Sequence, residues 1–138
     1  MSDTAGRGSG RVSIDASLHE LYKQLSEGNN PENAPFRTMK DVFMLATCLG
    51  YRRGLPKPIV GKKQQIFHFT QFSEQADMPI LKAIAIAKTG DIQVLADEDL
   101  IVQIAEEYAN AGIQELKAQV VDQVGQPLWS LVDLIRTV

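Results

Sequence analysis

Cysteine, histidine and long apolar runs are scarce in this sequence of 138 residues. The single cysteine, Cys48, cannot form an internal disulfide, and neither His19 nor His68 has a neighbour at a spacing typical of zinc ligands. No stretch of about 18 apolar residues occurs, and no basic leader precedes an apolar run, which argues against a membrane span and a secretory signal. We therefore expect a cytoplasmic protein that holds no metal and no cofactor.

The recurrent catalytic motifs are also missing. The chain contains no phosphate-binding GxxxxGKS/T or GxGxxG loop, no HExxH metal motif and no GxSxG nucleophile elbow. Cys48 lies in an apolar segment where nothing nearby would lower its pKa. Glu106 and Glu107 point about 100° apart on a helix, so their carboxylates do not share a site, and an ordinary solvated helix face accounts for them. We therefore predict that the protein is not an enzyme.

Composition favours one ordinary folded unit. Hydrophobic residues make up 44% of the chain and charged residues 22%, and a chain of this length can bury a core of its own. Near the start, Gly6, Gly8 and Gly10 alternate with polar or charged residues, and almost nothing apolar is available there for burial. We therefore predict a flexible tail over residues 1–11 and a single helical domain over residues 12–138.

Apolar residues recur at helical spacing through most of the chain. Leu18, Leu21, Tyr22 and Leu25 form the first apolar stripe, and similar stripes follow it. The predicted helices span residues 18–26, 39–50, 80–88, 98–112, 113–124 and 128–136. The fold class that this pattern indicates is mainly α: a compact single-domain bundle of about six helices, with at most one or two short strands.

Local signals place the ends of these helices. Ser17, Thr38 and Asp97 are predicted N-caps, because a side-chain oxygen there can accept a hydrogen bond from an exposed backbone N–H. Gly50 and Gly112 are predicted helix ends, since glycine readily adopts the left-handed conformation in which many helices end.

One aromatic, β-prone run stands apart at residues 65–72. It is either a short strand, which needs a partner from residues 12–14 or from another chain, or an irregular segment whose rings fill the core. Self-association through the apolar residues 66–72 is a further option.

The formal net charge of −3 conceals an uneven distribution. The basic segment, residues 37–63, has seven basic residues and one acidic residue, a balance of +6. The acidic half, residues 91–138, has nine acidic and two basic residues, a balance of −7. Such a separation of charge bears on the choice of partner more than on the fold.

The basic segment carries the first candidate contact site. Residues 51–63 are predicted to form a semi-rigid loop, because Pro56 and Pro58 bias the residues before them toward extended backbone. Its cations could bind the phosphates of a nucleic acid, and Tyr51 could stack on a base. Alternatively, the segment binds an acidic patch on another protein, or it is an ordinary solvated loop. The candidate contact residues are Arg37, Lys40, Tyr51, Arg52, Arg53, Lys57, Lys62 and Lys63.

A second candidate is the predicted corner between two helices around Tyr108 and Asn110. Asn110 can hydrogen-bond carbonyl groups exposed at a helix end, and the ring of Tyr108 suits a protein interface. We interpret this corner as structural first, with a protein interface at Tyr108 and Asn110 as the functional hypothesis.

Three stretches together resemble one known family. They are residues 36–51 (FRTMKDVFMLATCLGY), the pair 83–85 (AIA) and 89–91 (TGD), and residues 106–113 (EEYANAGI). Their order and spacing are similar to those of the small accessory proteins associated with Dnd-type DNA phosphorothioation, the bacterial modification and restriction systems that defend against phage and foreign DNA. The resemblance covers about residues 17–135. It implies a setting beside DNA-modifying or DNA-cleaving machinery, and it implies no catalytic residues.

These observations lead to a first hypothesis, a non-enzymatic accessory subunit of such an antiviral defence system. Its basic segment and acidic half would serve as opposite contact surfaces for proteins of a DNA modification or restriction complex. A homo-oligomer that forms through the basic segment and the acidic half is an alternative. The second hypothesis is a sequence-nonspecific DNA-binding protein that uses residues 37–63. A third, a minor enzymatic role beside a nuclease, would depend on Asp97, Glu106 and Glu107.

Overall fold

The computed structural model describes residues 10–137. Residues 1–9 of the predicted tail lie outside the described residues, whereas Arg11 already begins a strand. Within residues 10–137 the chain forms two strands and five α-helices. In chain order they are β1 (Arg11–Asp15), α1 (His19–Ser26), α2 (Met39–Arg53), β2 (Lys63–His68), α3 (Asp77–Thr89), α4 (Glu98–Leu116) and α5 (Pro127–Arg136). The predicted mainly α class is confirmed.

Helices α2 and α4 pack against each other at the centre of the fold. Their backbones approach closely, because a Cβ atom on Gly50 would overlap the carbonyl group of Tyr108. A Cβ atom on Gly112 would likewise overlap the carbonyl group of Ala46. Both glycines lie inside helices, so the prediction that they end helices is wrong. They are needed for the close approach of two helices rather than for a turn.

The number and the lengths of the helices differ from those predicted from the sequence. The predicted fourth and fifth helices are one helix, α4, followed by a π-helical turn at Lys117–Val121. Helix α2 continues through residue 53 and ends at Gly54, which adopts a left-handed φ of 79°. Residues 51–53 therefore belong to a helix, and the predicted basic loop begins three residues later than expected.

Strands β1 and β2 form a two-stranded antiparallel sheet in which Val12 lies opposite Phe67. The rings of Phe67 and Phe72 are buried and meet edge to face, with 5.3 Å between their centroids. The run of residues 65–72 thus combines both expectations. It supplies most of a strand that pairs with β1, continues as a 3₁₀ turn at Phe69–Gln71, and places its rings in the core.

Two of the three predicted N-caps are confirmed. The side chains of Thr38 and Asp97 each accept a hydrogen bond from the N–H three residues further along, at 3.2 and 3.1 Å. Ser17 is not a cap, because Asp15 Oδ1 accepts hydrogen bonds from both the N–H and the hydroxyl of Ser17 and holds a 3₁₀ turn at Ala16–Leu18. Of the helices in the described part of the chain, none has the length and apolar character that crossing a membrane requires.

Candidate interaction surface

The loop between α2 and β2, residues 54–62, presents apolar and basic side chains together. Leu55 and Val60 are 74% and 93% exposed, which is high for aliphatic side chains. Lys57 and Lys62 are exposed on the same loop. We call these four residues the loop surface. Sequence reasoning singled out the two lysines and missed the two aliphatic residues, although both interrupt an otherwise polar, glycine- and proline-rich stretch.

Hydrogen bonds hold this loop in place. The N–H of Lys57 donates to a carbonyl group of α4 at 2.9 Å. The side-chain amide of Asn110 donates to the carbonyl groups of Lys57, at 3.0 Å, and Pro58, at 3.3 Å. At the far end of the loop, the N–H of Ala16 donates to the carbonyl group of Lys62 at 2.8 Å. The loop surface is therefore displayed by a backbone fixed at several points, which lowers the entropy cost of binding a partner.

Tyr108 and Asn110, the two residues predicted at an interface, are buried within the chain. The ring of Tyr108 meets Tyr51 edge to face, with 5.5 Å between centroids. The predicted helix corner is absent from the described chain, because α4 runs through both residues. Asn110 positions the loop and Tyr108 packs against the end of α2, so neither side chain is itself part of the loop surface.

The cations of the basic segment do not form one patch. Helix α2 has 15 residues, so its two ends lie about 22 Å apart. Arg37 and Lys40 lie at its first end, whereas Arg52 and Arg53 lie at its last turn. Residues that are close in the sequence are thus divided between two regions of the molecule.

Lys40 is engaged in holding two helices together. Its Nζ lies 2.7 Å from Asp77 Oδ2 on α3 and 3.4 Å from Asp41 Oδ1. The hydrogen bond to Asp77 raises the pKa of Lys40, while burial opposes this rise. Asp77 also accepts a hydrogen bond from the N–H of Ser73 at 2.8 Å. The ion pair therefore ties the start of α2 to the start of α3.

Glu115 on α4 holds the two arginines at the other end of α2. Arg52 Nη2 lies 2.8 Å from Glu115 Oε2, and Arg53 Nε lies 3.4 Å from Glu115 Oε1. The Glu115 side chain is only 8% exposed, so removing either arginine would leave a buried carboxyl group with fewer partners. The basic segment and the acidic half thus meet where α2 packs on α4. This contact corrects the expectation that they form opposite surfaces.

The remaining cations of the basic segment gather at the loop. Among residues 10–137, the members of this segment with no ion pair within 4 Å are Arg37, Lys57, Lys62 and Lys63. Three of these four lie in the loop or directly after it, and Lys63 faces the carboxyl group of Glu106. Within the basic segment, the cations that form no ion pair among residues 10–137 therefore lie mostly on or next to the loop that carries the exposed Leu55 and Val60.

Glu106 departs from the solvated face predicted for it, because it is partly buried between α4 and β1. Its Oε2 accepts a hydrogen bond from the N–H of Ser13 at 2.7 Å, at the point where the register of the sheet shifts. Burial raises the pKa of Glu106 to about 7, while the Ser13 hydrogen bond and the nearby Lys63 oppose the rise. The carboxyl group thus fastens β1 to α4.

A groove of about 190 Å³ lies between the loop and α4. Its walls are formed by Pro58, Ile59, Lys63, Gln103, Glu106 and Glu107. This volume is below the range of about 300–1,000 Å³ that is usual for small-molecule sites. In residues 10–137, no three His, Cys, Asp or Glu side chains are grouped so as to hold a metal ion. Of this groove and the loop beside it, the loop surface is therefore the stronger candidate for function.

Similarity to known proteins was found at the level of the family. No curated protein and no solved structure gives a significant match to this chain. A family model described as DNA sulphur modification system-associated protein 4 matches residues 11–136, nearly the whole chain. This match confirms the resemblance carried by residues 36–51, 83–85 with 89–91, and 106–113. The chain belongs to the family of DNA sulphur modification system-associated protein 4.

Proposed function

We propose that this protein is a non-catalytic accessory subunit of a DNA sulphur modification system that acts in defence against phage. It works by binding another protein of that system through the loop surface, Leu55, Lys57, Val60 and Lys62. Membership of a family associated with DNA sulphur modification systems supports the proposal that the protein acts within such a system. The observation that carries the contact is the exposure of Leu55 and Val60 on a loop fixed by hydrogen bonds to α4.

The chemistry of the loop surface favours a protein as the partner. Covering exposed aliphatic side chains with another apolar surface lowers the free energy of the complex. Phosphate groups offer no such surface. The two lysines beside them suit a rim of acidic side chains, which would guide the approach and select the partner. Because Asn110 already fixes the backbone, little loop entropy is lost on binding.

Two of the three acidic residues considered for catalysis, Asp97 and Glu106, have structural contacts, and this supports a non-catalytic role. Asp97 caps α4, and Glu106 accepts the hydrogen bond from Ser13. Burial raises the pKa of the Cys48 thiol, which lowers its fraction of reactive thiolate.

Co-purification with the modification and restriction proteins of the same system tests this proposal. We expect the wild-type chain to co-elute with at least one of them, and the double variant Leu55→Ser, Val60→Ser to bind it at least about tenfold more weakly. Ile92→Ser is the matched control, since Ile92 is 65% exposed in a separate 3₁₀ turn. If the double variant binds as well as the control, the loop surface is not the contact.

DNA is the second candidate partner, and Lys57, Lys62 and Lys63, which form no ion pair within 4 Å among residues 10–137, favour it. A mobility-shift titration at low salt would then show salt-sensitive binding with little sequence preference. Lys57→Ala with Lys62→Ala would weaken this binding more than Arg52→Ala, because Arg52 is held by Glu115. No shift at micromolar protein would remove this candidate and leave the protein contact unaffected.

A further inference from the structure

The outward side of α5 carries an apolar stripe that the rest of residues 10–137 leaves uncovered. Leu131 and Leu134 point into the core, whereas Trp129 and Ile135 are each more than half exposed and Val132 is 36% exposed. These three exposed residues are spaced at three-residue intervals and follow one side of the helix. An exposed stripe that includes a tryptophan is typical of a surface that binds another protein.

The two ends of this stripe carry opposite charges. At the first end, the indole Nε1–H of Trp129 donates a hydrogen bond to Glu32 Oε2 at 3.0 Å, so a carboxylate lies beside the ring. At the other end lies Arg136, seven residues after Trp129. Seven residues are close to two helical turns, so Arg136 lies on the same side of α5, about 10.5 Å further along. Acid and aromatic ring thus stand at one end, and a cation at the other.

We propose that this face of α5 binds the same face of a second copy of the chain, with the two helices antiparallel. A two-fold axis between Val132 and Asp133 places Arg136 of each copy against Trp129 and Glu32 of the other. The guanidinium group can then stack on the indole ring and pair with the carboxylate, and symmetry makes each contact twice. The Val132 side chains meet at the centre.

Charge complementarity is the reason for choosing a second copy as the occupant. An isologous interface requires one surface to complement itself after a two-fold rotation. This stripe does so, because its acidic and basic ends exchange places across the apolar centre. Asp133 lies about 100° around the helix from Val132, and therefore at the rim of the interface, where it remains in contact with water. The interface uses none of the loop surface and does not depend on the function proposed above.

Sedimentation over a range of protein concentrations tests this pairing. We expect a reversible dimer for the wild-type chain, and at least about tenfold weaker dimerisation for Val132→Asp, which places two carboxylates at the centre. Val124→Asp is the matched control, because Val124 is fully exposed and lies outside α5. Circular dichroism establishes that each variant is folded.

A charge exchange tests the orientation of the two helices. Arg136→Glu and Glu32→Arg should each weaken the dimer, and the double variant should restore it, because the two positions then carry opposite charges again. A wild-type chain that stays monomeric, or a Val132→Asp dimer as tight as the wild type, would overturn the proposal. Failure of the double variant to regain affinity would overturn the antiparallel arrangement.

Discussion

At the scale of single residues, Glu106 has the most unusual environment of the groups described above. Tyr22 of α1, Lys63 of β2 and Glu107 of its own helix face its carboxyl group, and Ser13 donates a hydrogen bond to it. Burial is the largest influence and favours the protonated form, so the pKa of Glu106 rises from 4.5 to about 7. The folded protein therefore holds this proton more tightly than the unfolded chain does.

This pKa shift makes stability depend on pH. The stabilising contribution of the Glu106 proton is complete below pH 4.5 and is lost as the pH rises to about 7. The free energy of unfolding should fall by up to about 3 kcal/mol over this range. In Glu106→Gln, which keeps an acceptor oxygen for Ser13, most of this dependence should disappear. Urea unfolding at pH 5 and pH 8 measures the free energy of unfolding of both proteins, and so its dependence on pH.

Glu107→Gln is the control for this prediction, because it removes a neighbouring carboxylate and leaves Glu106 in place. It should retain most of the pH dependence of the wild type. If the free energy of unfolding changes with pH as much in Glu106→Gln as in the wild type, Glu106 does not cause the pH dependence.

The range of each interaction explains which residue roles the sequence reveals. Thr38 and Asp97 cap helices through an N–H three residues away, so a local pattern was enough to predict them. Glu106 bonds a backbone group 93 residues away, and Asn110 bonds one 53 residues away. No local pattern indicates such partners, and both residues were therefore placed wrongly on a surface or at a helix corner.

At the scale of elements, the crossing of α2 and α4 determines the arrangement of the core. Glycine inside a helix costs roughly 1 kcal/mol relative to alanine, so Gly50 and Gly112 should weaken both helices. Their value lies in the approach of the two backbones, which a Cβ atom at either position would prevent. Periodicity in the sequence shows that both helices exist. It does not show that they cross at these glycines, so the glycines are predicted to end the helices, where glycine is common.

Gly112→Ala should therefore destabilise the protein, although alanine is the better helix former. We expect the overlap with the carbonyl group of Ala46 to exceed the gain in helix propensity, with a net loss of about 2 kcal/mol in the free energy of unfolding. Thermal or urea unfolding measures this loss. Ala111→Gly, the reverse exchange at the adjacent position, should cost about 0.5–1 kcal/mol from propensity alone. A Gly112→Ala variant as stable as the wild type would show that the helices can separate freely.

At the scale of the whole molecule, folding redistributes the charges that the sequence separates. Glu115 binds Arg52 and Arg53, and Asp77 binds Lys40, so three cations of the basic segment are occupied within the chain. The sequence was sufficient to predict the mainly α class and the family. It was not sufficient to predict the loop surface, because that surface depends on which aliphatic side chains stay exposed and which cations form no ion pair within residues 10–137.

The affinity of the chain for the other proteins of a DNA sulphur modification system, measured one at a time, tests the proposed contact most directly. Titration calorimetry should give a saturable complex with wild type and with Ile92→Ser. The Leu55→Ser, Val60→Ser variant, at equal thermal stability, should bind at least about tenfold more weakly. Equal affinity for all three chains, or no complex with any protein of the system, would contradict the claim that the loop surface is where this subunit binds.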